Sequence, residues 1–89
     1  MKAVISVIGA DKVGILAKVS AICHQNNCNI VDVTQKVLQE YFTMVMIVEI
    51  DECTVSFAEL SDQLETLGKE MDLSIRTMHE EIFNSMQRI

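Results

Sequence analysis

Between Ala3 and Ile8 the chain is almost wholly apolar and rich in β-branched residues, the pattern of a short strand with little contact with water. Gly9-Ala10-Asp11-Lys12 ends that run, and from Val13 the period changes. Ile15, Leu16, Val19, Ile22 and Cys23 recur at helical spacing and predict one apolar helix face. Asp11 is placed to cap this helix, because its carboxylate can accept from the free amides of the first turn. Gln25-Asn26-Asn27 closes it, with Asn tolerating the left-handed conformation found at helix ends.

Asn29 to Leu38 predicts a second strand, with β-propensity from Ile30, Val31, Val33 and Val37. Gln39-Glu40 makes a short turn. Tyr41 to Ile50 follows as the strongest strand, with Phe42, Met44, Met46, Val48 and Ile50 alternating on one side. Strands joined so closely pair as an antiparallel hairpin. Ser56-Phe57-Ala58-Glu59 matches a capping box, and Val55 and Leu60 sit where a hydrophobic staple would. Phe57, Leu60, Leu64, Leu67 and Met71 then keep a helical period. Gly68 lowers helix propensity and predicts that the chain turns near it. Asp72 to Met78 predicts a fourth strand centred on Leu73 and Ile75, and His79 to Ile89 an amphipathic helix with Ile82, Phe83, Met86 and Ile89 on one face.

The predicted order is β-α-β-β-α-β plus a terminal helix, one domain over residues 1–89. Right-handed crossovers and the tight middle hairpin leave an α+β, ferredoxin-like sandwich: a four-stranded antiparallel sheet with both main helices on one face. Apolar residues lie on both sides of the third strand, where Tyr41, Val45 and Ile47 oppose Phe42, Met44 and Met46. One set packs on the helices. The other needs cover from the terminal helix (Ile82, Phe83, Met86) or from a second subunit. This fold hosts many unrelated functions, so it decides nothing about activity.

A chain of 89 residues buries only roughly 60–65% of the surface it exposes when unfolded, so association with a second copy would add to its stability. A hydrophobic fraction of 49% and the absence of proline rule out a disordered linker. No apolar run approaches the roughly 20 residues needed to cross a bilayer. The apolar start is short and lacks a cleavage site, so a cytoplasmic protein is expected. Seven basic residues are scattered singly among thirteen acidic ones, for a net charge of −6. That balance argues against direct nucleic-acid binding and against an anionic membrane surface. Cys23, Cys28 and Cys53 form no regular framework and predict reduced, buried thiols in a reducing compartment.

Signatures of chemistry are sparse. Gly9-x-x-x-x-Gly14 lacks the Lys-Ser/Thr of a phosphate-binding P-loop, and no G-x-G-x-x-G occurs. His24 and Cys28 are close in sequence, but no second pair completes a zinc site. Copper chaperones on this fold carry Cys-x-x-Cys after the first strand, and acylphosphatases carry an Arg there. This loop has no cysteine, and Lys12 is its only base. Nothing singles out two of the many acidic residues as a catalytic pair. The expectation is no catalytic residue, no metal and no cofactor.

The first strand-to-helix turn remains. An ordinary capped loop would account for Gly9-Ala10-Asp11-Lys12-Val13-Gly14. Gly14 is nevertheless costly within a first helical turn, by about 1 kcal/mol relative to Ala. A bare backbone there lets a ligand reach the free amides, and those amides with the helix dipole seat a carboxylate.

Ile8-Gly9-Ala10-Asp11-Lys12-Val13-Gly14-Ile15-Leu16, followed by Asn27-x-Asn29-Ile30-x-Asp32, resembles the signature of ACT domains. That signature is a strand, a Gly/Asp-rich loop, a glycine followed by two aliphatics, and Asn-Ile opening the second strand. The resemblance spans the whole chain and is strongest to short stand-alone bacterial ACT proteins, and through them to the ACT modules of the glycine-cleavage-system repressor. It implies a regulatory module rather than an enzyme. It also implies a homodimer or higher oligomer formed side by side, with an amino-acid-like small molecule at the shared interface. By position, the implied ligand contacts are Gly9, Asp11, the backbone around Val13 and Gly14, and Asn29 with Ile30. Helix-start amides would hold the carboxylate, with Asp11 and the Asn29 amide oxygen on the ammonium group. Some serine-binding members carry His at the position of Gly9, and many carry Pro at that of Val13, so serine-like selectivity is not implied. Asp32 and Gln35 read as polar residues of an exposed edge, with Asp32 a further candidate for the pocket. The competing reading is a protein–protein adaptor without a small-molecule ligand.

Overall fold

The computed structural model describes residues 1–10 and 13–87. Its elements follow in the order β1 (Lys2–Ala10), α1 (Ile15–Gln25), β2 (Asn29–Leu38), β3 (Tyr41–Glu49), α2 (Phe57–Met71), β4 (Ser74–His79) and α3 (Glu80–Gln87). The strands form one sheet in the order β2-β3-β1-β4, with every neighbouring pair antiparallel. This is the ferredoxin-like βαββαβ arrangement with an added terminal helix.

Alternation decides which side of the sheet the helices take. Ala3, Ile5 and Val7 of β1 and Phe42, Met44, Met46 and Val48 of β3 all point to one face, where they meet Ile15, Val19 and Cys23 of α1 and Leu60, Leu64 and Leu67 of α2. The period-2 faces of two strands thus close on the apolar stripes of two helices. Helix α2 begins at the expected capping box: Ser56 Oγ accepts from the Glu59 amide at 3.1 Å and donates to Glu59 Oε1 at 3.2 Å. Phe57, its first residue, stacks on His79 with ring centroids 4.1 Å apart, tying the start of α2 to the end of β4.

Three local expectations change. Helix α1 starts at Ile15 and its N-cap position is Gly14, with no side-chain cap, rather than Asp11; Asp11 itself lies outside the described residues. Gly68 does not turn the chain. The helix runs through it, and the turn comes at Asp72, whose left-handed φ of 58° and amide bond to the Gly68 carbonyl end α2. Asp72 is therefore a helix cap and not the first residue of β4. The cysteines are the third correction. Cys28 and Cys53 form a disulfide, and only Cys23 is a free, buried thiol. Pairing of β2 with β3 brings their Cα atoms to 5.2 Å across 25 residues, a proximity no local spacing encodes. The cysteine count consequently gives no support to a reducing compartment.

The second face of the sheet is covered in part. Helix α3 packs on β1 and β4, and Val4, which points away from the helical core, is buried. Val45 and Ile47 are half-buried, and Ile8, Leu38 and Tyr41 remain exposed. Ile89 and the side chain of Met86, placed on the apolar face of the terminal helix, lie outside the described residues. No helix among the described residues is long and apolar enough to cross a membrane.

Candidate ligand site

At its described residues, Val13 and Gly14, the turn into α1 is open. Gly14 adopts φ 84°, a left-handed conformation that by itself calls for glycine. A Cβ built there would meet nothing within 4 Å. Val13 is 99% exposed. The first intrahelical bond runs from the Lys18 amide to the Gly14 carbonyl at 3.0 Å, so the amides of Ile15, Leu16 and Ala17 precede it, and Gly14 has no side chain to cap them. Such amides, with the helix dipole behind them, favour a carboxylate. Gly9 has a structural role as well. A side chain at this position would run into Leu73 Cδ2, so Gly9 makes room for the chain that leaves α2.

Asn29, Ile30 and Asp32 lie at the other end of the sheet. Gly9 pairs with Phe42, which pairs with Val37; Asn29 pairs with Glu49, which pairs with Lys2. Seven residues of β1 separate these two rows, about 23 Å at strand rise. One chain therefore does not bring the two halves of the expected site together.

The Asn29 end has a crevice of its own. Asn29 lines a cavity of about 320 Å³ with His24, Asn27, Cys28 and Glu52. The walls are the end of α1 and the loop between β3 and α2, stitched by backbone and side-chain bonds. Helix α1 closes with the Cys28 amide donating to the Cys23 carbonyl at 2.8 Å and the Asn27 amide to the His24 carbonyl at 3.1 Å, with Asn27 left-handed between them. Asn27 Nδ2 donates to the Glu52 carbonyl at 3.0 Å, and the Thr54 amide donates to the Asn26 carbonyl at 2.9 Å. Buried Asn26 sends its Nδ2 to the Ile22 carbonyl at 2.8 Å and to Gln63 Oε1 at 2.7 Å. A bulge between Ile30 and Asp32 interrupts the pairing with β3. Asp32 is partly engaged just beyond it, since its Oδ1 accepts from the Val33 amide at 2.9 Å.

Sequence reasoning weighed His24 as a metal ligand and Cys28 as a metal ligand or a buried thiol, quoted Asn27 only as a motif position, and passed over Glu52 and Cys53 as neighbours of Asn29. The one available signal was Asn27, two residues before Asn29. Glu52 and Cys53 reach this place through the hairpin and leave no local trace. Among the described residues no three His, Cys, Asp or Glu side chains are grouped to hold a metal ion.

The family model described as ACT domain matches residues 2–78. A UPF0237 protein of Clostridium acetobutylicum is 47% identical over 89 residues, covering all of both chains. Among solved structures, an ACT domain protein from Streptococcus pneumoniae is 41% identical and superposes with a TM-score of 0.81 over 93% of each chain. A structure described as that of a glycine cleavage system transcriptional repressor is 26% identical, with a TM-score of 0.73 over 85% of this chain and 43% of that one.

Proposed function

This chain belongs to the ACT domain family, a family of regulatory ligand-binding modules, and we propose that it senses an amino acid or a related small molecule between two copies of itself, without catalysing a reaction. The observation that carries the reading is the separation of the two half-sites. A helix start at Gly14, whose N-cap residue offers no side chain, and the polar end of β2 at Asn29 each supply half of a site, and they lie too far apart in one chain to share a small ligand.

A second copy removes the difficulty. β2 is an edge strand of ten residues, exposed along almost its whole length, with Ile30, Val31, Val37 and Leu38 open to solvent. Natural edges of this kind are normally covered or interrupted. Two β2 strands paired antiparallel about Thr34 would set Asp32 of each copy opposite Lys36 of the other. Directly opposed residues share a face, and unlike charges there are favourable. The same pairing carries Asn29 of one copy to the end of the sheet where Gly9 and Gly14 of the other stand. The carboxylate of an amino acid then meets the helix-start amides, and its ammonium group meets the Asn29 amide oxygen, with Asp11 as the acidic residue of the turn and Ile30 beside it.

Thermal unfolding of the chain with each of the twenty amino acids at millimolar concentration tests the reading. A ligand at a hundred times its Kd adds about 2.7 kcal/mol, a shift of roughly 10 °C or more for a chain of this size. Asn29→Ala should abolish the shift produced by the active compound. No shift with any amino acid or related metabolite would overturn the sensor reading. It would favour the adaptor, for which the exposed outer-face residues Ile8, Leu38 and Tyr41 offer an apolar contact.

A further inference from the structure

Cys28 immediately precedes Asn29, and Cys53 stands in the loop that walls the same crevice. The disulfide between them closes the β2–β3 hairpin at its open end, where the ladder is already weakened by the bulge between Ile30 and Asp32. Nothing else covalent ties the start of β2 to the rest of the fold. Cys28 lines the crevice with His24, Asn27, Asn29 and Glu52 but is itself buried, so a small thiol meets the pair first at Cys53, which is half-buried. An open form is also provided for: Cys28 Sγ lies 3.8 Å from the Asn26 carbonyl oxygen, which can accept from a thiol S–H. The third cysteine takes no part, because Cys23 is fully buried on the inner face of α1 and burial pushes its thiol up to about 11.

We propose that Cys28 and Cys53 are a reversible thiol–disulfide pair, worked by a low-molecular-weight thiol–disulfide couple, whose state sets the order of the Asn29 end of β2. The chemistry balances without a cofactor. One cysteine thiolate attacks the small disulfide, forms a mixed disulfide and releases one small thiolate. The second cysteine thiolate displaces the other. Two protein thiols are oxidised, one small disulfide is reduced to two thiols, and reversal consumes the same two. Closed, the bond holds residues 28–32 against the loop at 52–54. Open, that corner keeps the Asn27–Glu52 and Thr54–Asn26 hydrogen bonds and the bulged start of the β2–β3 ladder, without a covalent tie between strand and loop. In its consequence for a ligand the inference rests on the sensor reading above, since Asn29 supplies half of that site.

The test uses the full chain, equilibrated in glutathione buffers of graded redox poise, alkylated and weighed intact, with amide exchange measured in parallel. One reversible step gaining two alkylated thiols is expected, with Cys23 silent in the folded protein. On reduction, exchange at residues 29–32 and 52–54 should rise at least fivefold while β1 is unchanged. In exchange at residues 29–32, Cys53→Ser should match the reduced wild type in reducing buffer and should not regain the oxidised protein's protection in oxidising buffer, where Cys28 can at most carry one glutathione. Failure of oxidised glutathione to close the pair, or equal exchange at 29–32 in both states, would overturn the proposal. Exchange in Cys53→Ser matching the oxidised protein would do the same. Reduction should also weaken binding of an active amino acid at least fivefold, and unchanged affinity would remove the regulatory step. A flat amino-acid panel in both states, with the exchange difference intact, would sink the sensor reading and leave the redox pair standing.

Discussion

The backbone carbonyl of Leu73 lies 2.8 Å from where a Cβ on Gly68 would stand, so α2 and the chain entering β4 meet backbone to backbone. Ile75 Cγ1 is 3.2 Å from the same point. Helix α2 tolerates a glycine because the contact needs its missing side chain. Gly68→Ala should therefore destabilise the protein by about 1–3 kcal/mol through overpacking, despite the roughly 1 kcal/mol that Ala adds as a helix former. Urea unfolding reads the change. An unchanged or raised midpoint would show that the contact opens without cost.

The cap on α2 offers a cleaner number. Ser56 Oγ accepts from the Glu59 amide, and the residue is exposed. Its removal exposes one donor and leaves no cavity. Ser56→Ala should lower stability by about 1 kcal/mol and Ser56→Asp by much less. Equal losses in the two variants would mean that the hydroxyl does not act as a cap.

Alkaline stability should depend on Cys23. Burial raises its thiol from 9.0 to about 11, because the thiolate is disfavoured away from water. A raised value in the folded state means stability that is fully present below the unfolded value and lost as pH rises through the folded one. Between pH 9 and 11 the loss attributable to this group should be on the order of 2 kcal/mol. Cys23→Ala should be less stable at pH 7, by roughly 1–2 kcal/mol for the cavity, and should lose less of its remaining stability across the alkaline range. Parallel pH curves for the two proteins would contradict this.

Self-pairing along β2 makes a charge prediction. Asp32→Lys or Lys36→Asp alone sets like charges against each other twice in the pair and should weaken association by about tenfold or more. The double exchange should restore it, and sedimentation equilibrium follows all three variants. Equal association by the single variants would place the contact elsewhere on the molecule.

Much of this molecule was legible along the chain. The order of strands and helices, the faces of β3, the cap at Ser56 and the bounds of β2 all follow from periodicity and from chemistry within a few residues. Such signals are local, and the chain carries them whatever it later folds against. The Gly/Asp-rich turn and Asn29-Ile30 likewise identified the family by short-range pattern. Only the tertiary structure decided that Gly68 serves a close backbone approach, that Cys28 meets Cys53, and that Gly14 and Asn29 stand at opposite ends of the sheet. These are relations across strand pairings and helix packing. They depend on where the sheet sets distant residues side by side, and the spacing between two positions in the sequence holds no record of that.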